Sequence, residues 1–204
     1  EFTGDTLINE DMTVMLTREV KSYKVKIDGV TKEMEYGSTL PEGYLYCADD
    51  QYRYDVYKPG YKVTEPMSLN SVPAEKENGK WCIPVKSVSD FEKLEKFTVN
   101  DPAININLKC DLNLDSENPA SFVDDFYGTL NGQGHTLSGV KLNEVWTHGI
   151  VAKRLFGTVK NLYFKDIELG YEENVEGGAG VICGKNYGTI ENCGFENVSL
   201  VTVK

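Results

Sequence analysis

Long hydrophobic runs are missing from this chain of 204 residues. No segment approaches the roughly 18 consecutive apolar residues that a membrane-spanning helix requires. The first residues also lack the basic segment followed by an apolar one that marks a secretory signal. The sequence therefore predicts no membrane insertion within this stretch and shows no targeting signal.

A basic excess is missing as well. Twenty-one Lys and Arg face 32 Asp and Glu, which gives a formal net charge of -11. Residues 1–80 carry 10 basic and 15 acidic side chains, and residues 81–204 carry 11 and 17, so the acidity is spread over both halves. Such a surface repels phosphate groups and anionic lipids. We expect no nucleic acid among the partners of the chain.

Histidine is scarce, and the cysteines lack metal-binding spacing. His135 and His148 have no third ligand at a suggestive distance along the chain. The five cysteines are Cys47, Cys82, Cys110, Cys183 and Cys193, with no CxxC pair. Their odd number argues against a disulfide framework and favours buried free thiols. P-loop and dinucleotide fingerprints are absent too, so the sequence predicts no metal site and no cofactor.

What the chain does contain is a repeated phrase. Tyr127–Leu130 reads Tyr-Gly-Thr-Leu, and the pattern returns at Phe156–Val159 and at Tyr187–Ile190, spaced by 29 and 31 residues. From the second copy to the third, 21 consecutive positions stay in phase, because residues 149–169 align with residues 180–200. This self-similarity is typical of a stacked structural repeat.

Within each repeat, apolar residues alternate as in strands with one buried face. The alternation lengthens at Asp166 and Asn197, residue types that tolerate tight bends. Copies stacked about 4.8 Å apart put like residues side by side. The pattern predicts a mainly all-β fold with a parallel β-helix of a few rungs. The predicted columns are Tyr127, Phe156 and Tyr187; Leu130, Val159 and Ile190; His135, Leu162 and Cys193; and Leu137, Phe164 and Phe195.

His135 reaches its column only if Gln133-Gly134 is a two-residue insertion, and it is then expected to be largely buried and hydrogen-bonded. Upstream, apolar residues at every second position from Ile104 to Leu114 predict one long strand as the first rung. A short helix near 88–96 is expected to cap that end, and the β-helix is assigned to residues 81–204. Residues 73–80, which are charged and contain Pro and Gly, are predicted to be a linker.

The first part of the chain holds a different repeat. Phe2–Val14 aligns with Tyr57–Leu69 at an offset of 55, so residues 1–18 are interpreted as the end of a preceding copy. Residues 19–72 form the full unit. Its phrases Tyr36–Pro41, Tyr54–Tyr57 and Val63–Leu69 resemble the Listeria–Bacteroides repeat, a small β-grasp-like module of bacterial surface proteins. The usual closing tryptophan is replaced by Asn70-Ser71-Val72.

The phrases Leu130–Leu137, Leu155–Leu162 and Gly180–Cys193 resemble GLUG-type repeats of Gram-positive and Bacteroides surface proteins, including the non-catalytic regions of immunoglobulin A proteases. This resemblance implies a right-handed parallel β-helix at the cell surface or in a secreted protein. It also implies a non-catalytic adhesion or carbohydrate-binding role, with a host or dietary glycan or a surface protein as partner. A spacer with no ligand of its own remains an alternative.

A second alternative is a lyase or hydrolase acting on acidic polysaccharide. Asp124-Asp125 and His135 are the residues a hydrolase would use, although neighbouring strand residues face opposite ways and only one aspartate can join a given site. A lyase would need a basic residue such as Arg154 and clustered acids such as Glu172–Glu176 for calcium. The last strand, Val198–Val203, is followed by no polar turn. We expect the isolated chain either to fray after about Leu200 or to pair end to end, and the natural protein to continue into further rungs.

Overall fold

The computed structural model describes residues 19–49, 56–94, 97, 103–116, 123–142, 148–171 and 180–202. In these ranges the chain forms 18 strands and one short helix. The predicted all-β class is therefore confirmed. The expected preceding repeat, residues 1–18, lies outside the described residues.

The first sheet has five strands in the order β2-β1-β5-β3-β4. They are β1 (Ser22–Ile27), β2 (Val30–Glu35), β3 (Tyr44–Ala48), β4 (Val56–Tyr57) and β5 (Met67–Pro73). Strands β1 and β2 form a hairpin through Asp28 and Gly29, whose φ angles of 48° and 85° suit a tight turn between right-twisted strands. Strand β5 runs parallel to β1 and antiparallel to β3. This sheet buries its own small cluster of Val25, Leu40, Tyr46, Val63 and Leu69.

The prediction that residues 73–80 form a linker is wrong. It contains β6 (Glu75–Glu77) and the start of β7 (Lys80–Val85), which pair as an antiparallel hairpin. Asn78 and Gly79, with φ angles of 49° and 81°, form the turn that favours such a hairpin. The charged composition has a structural cause, because β6 is the outermost strand of its sheet and an edge strand is commonly protected by charges.

The predicted helix is α1 (Val88–Lys93), a little shorter than residues 88–96. Ser87 is its N-cap, and its hydroxyl accepts a hydrogen bond from the backbone N–H of Asp90 at 3.1 Å. Phe91, Leu94 and Phe97 are buried. The helix therefore packs its apolar side on the core at the beginning of the repeat region, next to β7 and β9 (Leu112–Ser116).

The repeat region consists of three further sheets. Besides β9, its strands are β8 (Ile104–Leu108), β10 (Val123–Phe126), β11 (Thr129–Asn131), β12 (Thr136–Leu142), β13 (Ala152–Leu155), β14 (Thr158–Lys160), β15 (Tyr163–Tyr171), β16 (Cys183–Asn186), β17 (Thr189–Glu191) and β18 (Gly194–Thr202). The sheet orders are β10-β13-β16, β17-β14-β11-β8-β7-β6 and β18-β15-β12-β9. Every pair in these sheets is parallel except β6 with β7.

Two sequence predictions about the rungs need correction. The predicted long strand from Ile104 to Leu114 is two strands, β8 and β9, which belong to different sheets. Strand β7 lies beside β8 in parallel, so the stacking begins one strand earlier than expected. Each repeat also has three strands rather than two, because short corners at Gly157 and at Asn161 separate β13, β14 and β15.

A left-handed backbone bend recurs in the four-stranded sheet. The predicted bends at Asp166 and Asn197 have φ angles of 54° and 52°, and Gly139 and Asp115 occupy the corresponding positions in β12 and β9 with 75° and 31°. Asn197 donates its amide to Asp166 Oδ1 at 2.6 Å. These residues permit positive φ because of a short polar side chain or, in glycine, no side chain.

One buried apolar cluster runs through the repeat region and into the first sheet. It extends from Leu45, Cys47, Val72 and Ala74 through Ile83 and the buried residues of the repeats to Ile182. The first sheet and the repeats thus share a core.

Candidate ligand-binding surface

Three aromatic side chains form a stack on the outside of the repeat region. The rings of Tyr127 and Phe156 have centroids 4.8 Å apart and an interplanar angle of 6°, and those of Phe156 and Tyr187 are 5.1 Å apart at 13°. Their exposed fractions are 37%, 37% and 62%. We call these residues the aromatic column.

The glycine that follows each ring lets the chain turn closely over the previous rung. A Cβ on Gly157 would lie 2.0 Å from the backbone oxygen of Gly128, and one on Gly188 would lie 2.1 Å from that of Gly157. Thr158 N–H donates to Gly128 O, and Thr189 N–H donates to Gly157 O, both at 2.9 Å. The repeated Gly-Thr phrase is therefore the part of each rung that brings the rings into stacking distance.

A charged column lies two residues before the rings. The register places Asp125 beside Arg154 and Arg154 beside Lys185. Arg154 forms a bidentate contact with Asp125, in which Nε donates to Oδ1 at 2.5 Å and Nη2 donates to Oδ2 at 2.7 Å. The hydrogen bonds that Arg154 donates to Asp125, followed by the charge of that carboxylate, raise the pKa of Arg154. Lys185 is exposed and lies two residues before the last ring along the chain.

The geometry limits what this surface can bind. Phe156 has a stacked ring on each side, so its two faces are covered and only its edge faces solvent. Tyr187 is stacked on Phe156 and more than half exposed. Within the described residues, no ring stacks on the other face of Tyr187, and Lys185 lies two residues before it. This pair suits a ligand that offers an apolar face and an anionic group, such as an acidic sugar.

The inward columns are aligned by the strand register. Leu130 lies beside Val159 and Val159 beside Ile190, while Leu137 lies beside Phe164 and Phe164 beside Phe195. The first two members of each column are fully buried, but Ile190 is 38% exposed and Phe195 is 55% exposed. The last rung of the described chain is thus open on one side.

His135 is less buried than predicted. The register places it in the column of Leu162 and Cys193 after an insertion at Gln133 and Gly134, but its side chain is 33% exposed. Its Nδ1 lies 3.2 Å from Asp111 Oδ1, which also accepts the backbone N–H of Thr136 at 2.9 Å. The bond from Thr136 and then that from His135 lower the pKa of Asp111. The polar ring stays at the surface because it has this carboxylate partner there.

A second polar network joins β6 to the end of β8. Glu77 accepts from Asn107 at 2.7 Å and from Lys109 at 2.8 Å, and Lys109 also lies 3.2 Å from Glu75. Lys109 is the main cause of the lowered pKa of Glu77. Asn107 is buried, and its amide is satisfied by this contact. The network has a structural explanation, since it holds the edge hairpin in place.

The structure does not bring together Asp125 and His135, the residues that the sequence offered to a hydrolase. Asp125 is engaged by Arg154, whereas His135 is engaged by Asp111 on a different sheet corner. Glu172–Glu176 and residues 143–147 lie outside the described residues. None of the five cysteines, all of which lie in the described ranges, forms a disulfide; Cys47 and Cys82 are buried, as predicted, and the other three are half-buried. Burial raises the pKa of the Cys183 and Cys193 thiols.

In the described ranges, no three His, Cys, Asp or Glu side chains are grouped so as to hold a metal ion. The same part of the chain contains no helix of sufficient length and apolarity to cross a membrane.

Searches for similar proteins matched no family model, no curated protein and no solved structure. The sequence predictions missed the Asp125–Arg154 pair. The repeat register contained the necessary signal, because the spacing of 29 residues that aligns Tyr127 with Phe156 also aligns Asp125 with Arg154.

Proposed function

We propose that residues 80–202 form a right-handed parallel β-helix of GLUG-type repeats, preceded by a Listeria–Bacteroides-type module. The parallel pairing of successive rungs in three sheets supports this proposal. On this basis the chain is a non-catalytic segment of a bacterial cell-surface or secreted protein, with an adhesion or carbohydrate-binding role.

The observation that carries the proposal is the use of repeated side chains for stacking. The aromatic rings contact each other, and the amides form a ladder in which Asn161 donates to Asn131 at 3.0 Å and Asn192 donates to Asn161 at 2.7 Å. Residues that recur in each repeat are thus explained by contacts with the neighbouring repeat. The recurring residues therefore serve to build the scaffold, and the side chains that remain exposed on its surface are available for binding.

Tyr187 and Lys185 are the exposed side chains best suited to a glycan. A glycan array with the folded chain tests this role, and we expect binding to acidic glycans that Tyr187→Ala weakens at least tenfold. Tyr36→Ala is the matched control, because Tyr36 is similarly exposed but lies in the turn after β2 of the first sheet. No binding to any glycan would favour the spacer alternative.

An enzyme acting on acidic polysaccharide is supported by one observation only. The carboxylate of Asp111 lies within hydrogen-bond distance of Nδ1 of His135, and such a contact can orient an imidazole for general-base catalysis. Assays on pectin and on uronate polymers with the native chain and His135→Gln separate the two functions. Cleavage that disappears in the folded variant would replace the non-catalytic proposal.

A further inference from the structure

The turn between β6 and β7 presents an Asn-Gly pair to solvent. Asn78 and Gly79 are both exposed, and a Cβ built on Gly79 would have no other atom within 4 Å. We propose that Asn78 is a site of spontaneous deamidation, at which the side-chain amide is converted into aspartate or isoaspartate. The modification acts on the hairpin that forms one edge of the six-stranded sheet.

The reaction needs only the chain itself and water. The backbone nitrogen of Gly79 gives up its proton and attacks Cγ of Asn78, so that a bond from nitrogen to Cγ forms. The bond from Cγ to Nδ2 breaks, and the former amide nitrogen takes up a proton and leaves as ammonia. Water then opens the five-membered imide, giving aspartate if the new bond is cleaved and isoaspartate if the original peptide bond is cleaved. Glycine favours the attack because it has no side chain to block the approach.

The two reacting groups are not held by other contacts. In the part of the chain that the structure describes, neither the side chain of Asn78 nor the backbone N–H of Gly79 has a hydrogen-bond partner. Their φ angles of 49° and 81° belong to a two-residue turn that projects into open space. The nitrogen can therefore approach Cγ through local rotation of the turn, without displacing any packed side chain.

The other Asn-Gly pair of the chain, Asn131-Gly132, provides an internal comparison. Asn131 Oδ1 accepts from the backbone N–H of Gln133 at 3.1 Å and from the amide of Asn161 at 3.0 Å. The N–H of Gly132 donates to the carbonyl of Lys160 at 2.8 Å, and a Cβ on this buried glycine would lie 2.4 Å from the backbone oxygen of Asn161. Attack on Asn131 would require these contacts with the next rung to break.

The two products affect the hairpin differently. Aspartate keeps a residue type that tolerates positive φ and adds one negative charge next to Glu77. Isoaspartate lengthens the main chain by one methylene, so the two-residue turn no longer fits the spacing of β6 and β7. Since β6 pairs only with β7 within the described residues, isoaspartate should release β6 and leave β7 as the edge of the sheet.

Incubation of the full chain at mildly alkaline pH, followed by peptide mass spectrometry, tests the site. We expect the folded chain to deamidate at Asn78 at least tenfold faster than at Asn131, and the rate at Asn78 to rise with pH because the Gly79 nitrogen must lose its proton. In guanidinium chloride the two rates should become similar, since both asparagines precede glycine. Labelling by an isoaspartyl methyltransferase identifies the isoaspartate product.

The comparison of the two sites can overturn the proposal. Asn78 that stays intact in the folded chain, or that reacts no faster than Asn131, would show that the exposed turn is not a modification site. A tenfold difference that persists in denaturant would show that the neighbouring sequence, rather than the fold, selects Asn78.

Hydrogen exchange tests the effect on the hairpin, with freshly prepared Asn78→Asp as the matched variant. This variant has the added charge but not the added methylene. We expect faster exchange in β6 in chains that carry isoaspartate and native exchange in Asn78→Asp, while β15 stays unchanged in both. Native exchange in β6 of the isoaspartate form, or equal acceleration in Asn78→Asp, would contradict the release of β6 by the longer main chain.

Discussion

Phe164 and Phe195 stack with ring centroids 5.5 Å apart, but their surroundings differ. Phe164 is covered by Leu137 on one side and Phe195 on the other, whereas within the described residues no strand pairs with β18 on the far side of Phe195. Phe164→Ala should lower the free energy of unfolding by about 3–5 kcal/mol, and Phe195→Ala by about 1 kcal/mol, since only the first leaves a cavity. Urea denaturation measures both. Equal losses would mean that Phe195 is buried in solution.

Asp111 makes the corner near His135 sensitive to acid. Its pKa in the folded chain is lowered below the ordinary value of 3.8, so the stability it contributes is present above that value and disappears as the pH falls through the lowered pKa. The difference in unfolding midpoint between the native chain and Asp111→Asn should therefore shrink as the pH falls below about 4. His135→Gln should retain most of this dependence, because the bond from Thr136 N–H is the larger cause. A pH-independent difference would contradict the assignment.

Sequence reasoning at this scale predicted which residues are neighbours but not how exposed they are. The repeat register gives the pairs Leu130–Val159 and Leu137–Phe164 because like residues stack. The register could not show that Tyr127, Phe156 and Tyr187 lie on the surface. An aromatic residue at an exposed corner and one in a core give the same sequence pattern. His135 was expected to be more buried than it is because Asp111, its surface partner, is 24 residues away and belongs to no matching phrase.

The corners between strands depend on glycine wherever one rung crosses closely over another. Gly157→Ala places a Cβ against the backbone of Gly128 and Tyr127, which cannot move without opening the stack, and should cost roughly 3 kcal/mol. Gly194→Ala is the matched control. There the Cβ would meet only the ring of Tyr163, at 2.6 Å, and this half-exposed ring can rotate away, so the loss should stay below about 1 kcal/mol. Thermal unfolding of both variants tests the difference, and equal midpoints would contradict it.

The short helix α1 depends on its cap. Ser87→Ala removes the acceptor for Asp90 N–H and should lower the free energy of unfolding by about 0.5–2 kcal/mol. Ser89→Ala, an exposed change inside the same helix, should be neutral or slightly stabilising because alanine is the better helix former. A loss in Ser89→Ala as large as in Ser87→Ala would show that the capping bond is not the cause. Chemical denaturation of the two variants makes the comparison.

Element type was easier to predict than element boundaries. The apolar alternation from Ile104 to Leu114 stays in phase across the corner at Lys109–Asp111, so periodicity alone cannot separate β8 from β9. The hairpin of β6 and β7 was mistaken for a linker because an edge strand held by Glu77 and Lys109 is as polar as a linker. Its Asn78-Gly79 turn was the overlooked signal.

At the scale of the whole molecule, the first sheet and the repeats are joined through buried side chains. Leu45 on β3 and Val72 on β5 belong to the same cluster as Ile83 and Ile106, whereas Leu40 belongs to the separate cluster of the first sheet. A continuous core couples the unfolding of the elements that share it. The linker predicted at residues 73–80 would separate the first sheet from the repeats, whereas the structure joins them through this shared core.

We therefore predict a single cooperative transition for the first sheet and the adjoining rungs. Leu45→Ala and Leu40→Ala each truncate a fully buried leucine and should each cost about 2–5 kcal/mol. If the core is shared, both variants accelerate hydrogen exchange in β1 and β2 and also in β8 and β11, by similar factors under conditions of global unfolding. Mass spectrometry of peptides from the two regions measures this. Exchange that rises only in β1 and β2 for both variants would show that the first sheet unfolds alone and that the contacts of Leu45 with the repeat core do not couple the two parts.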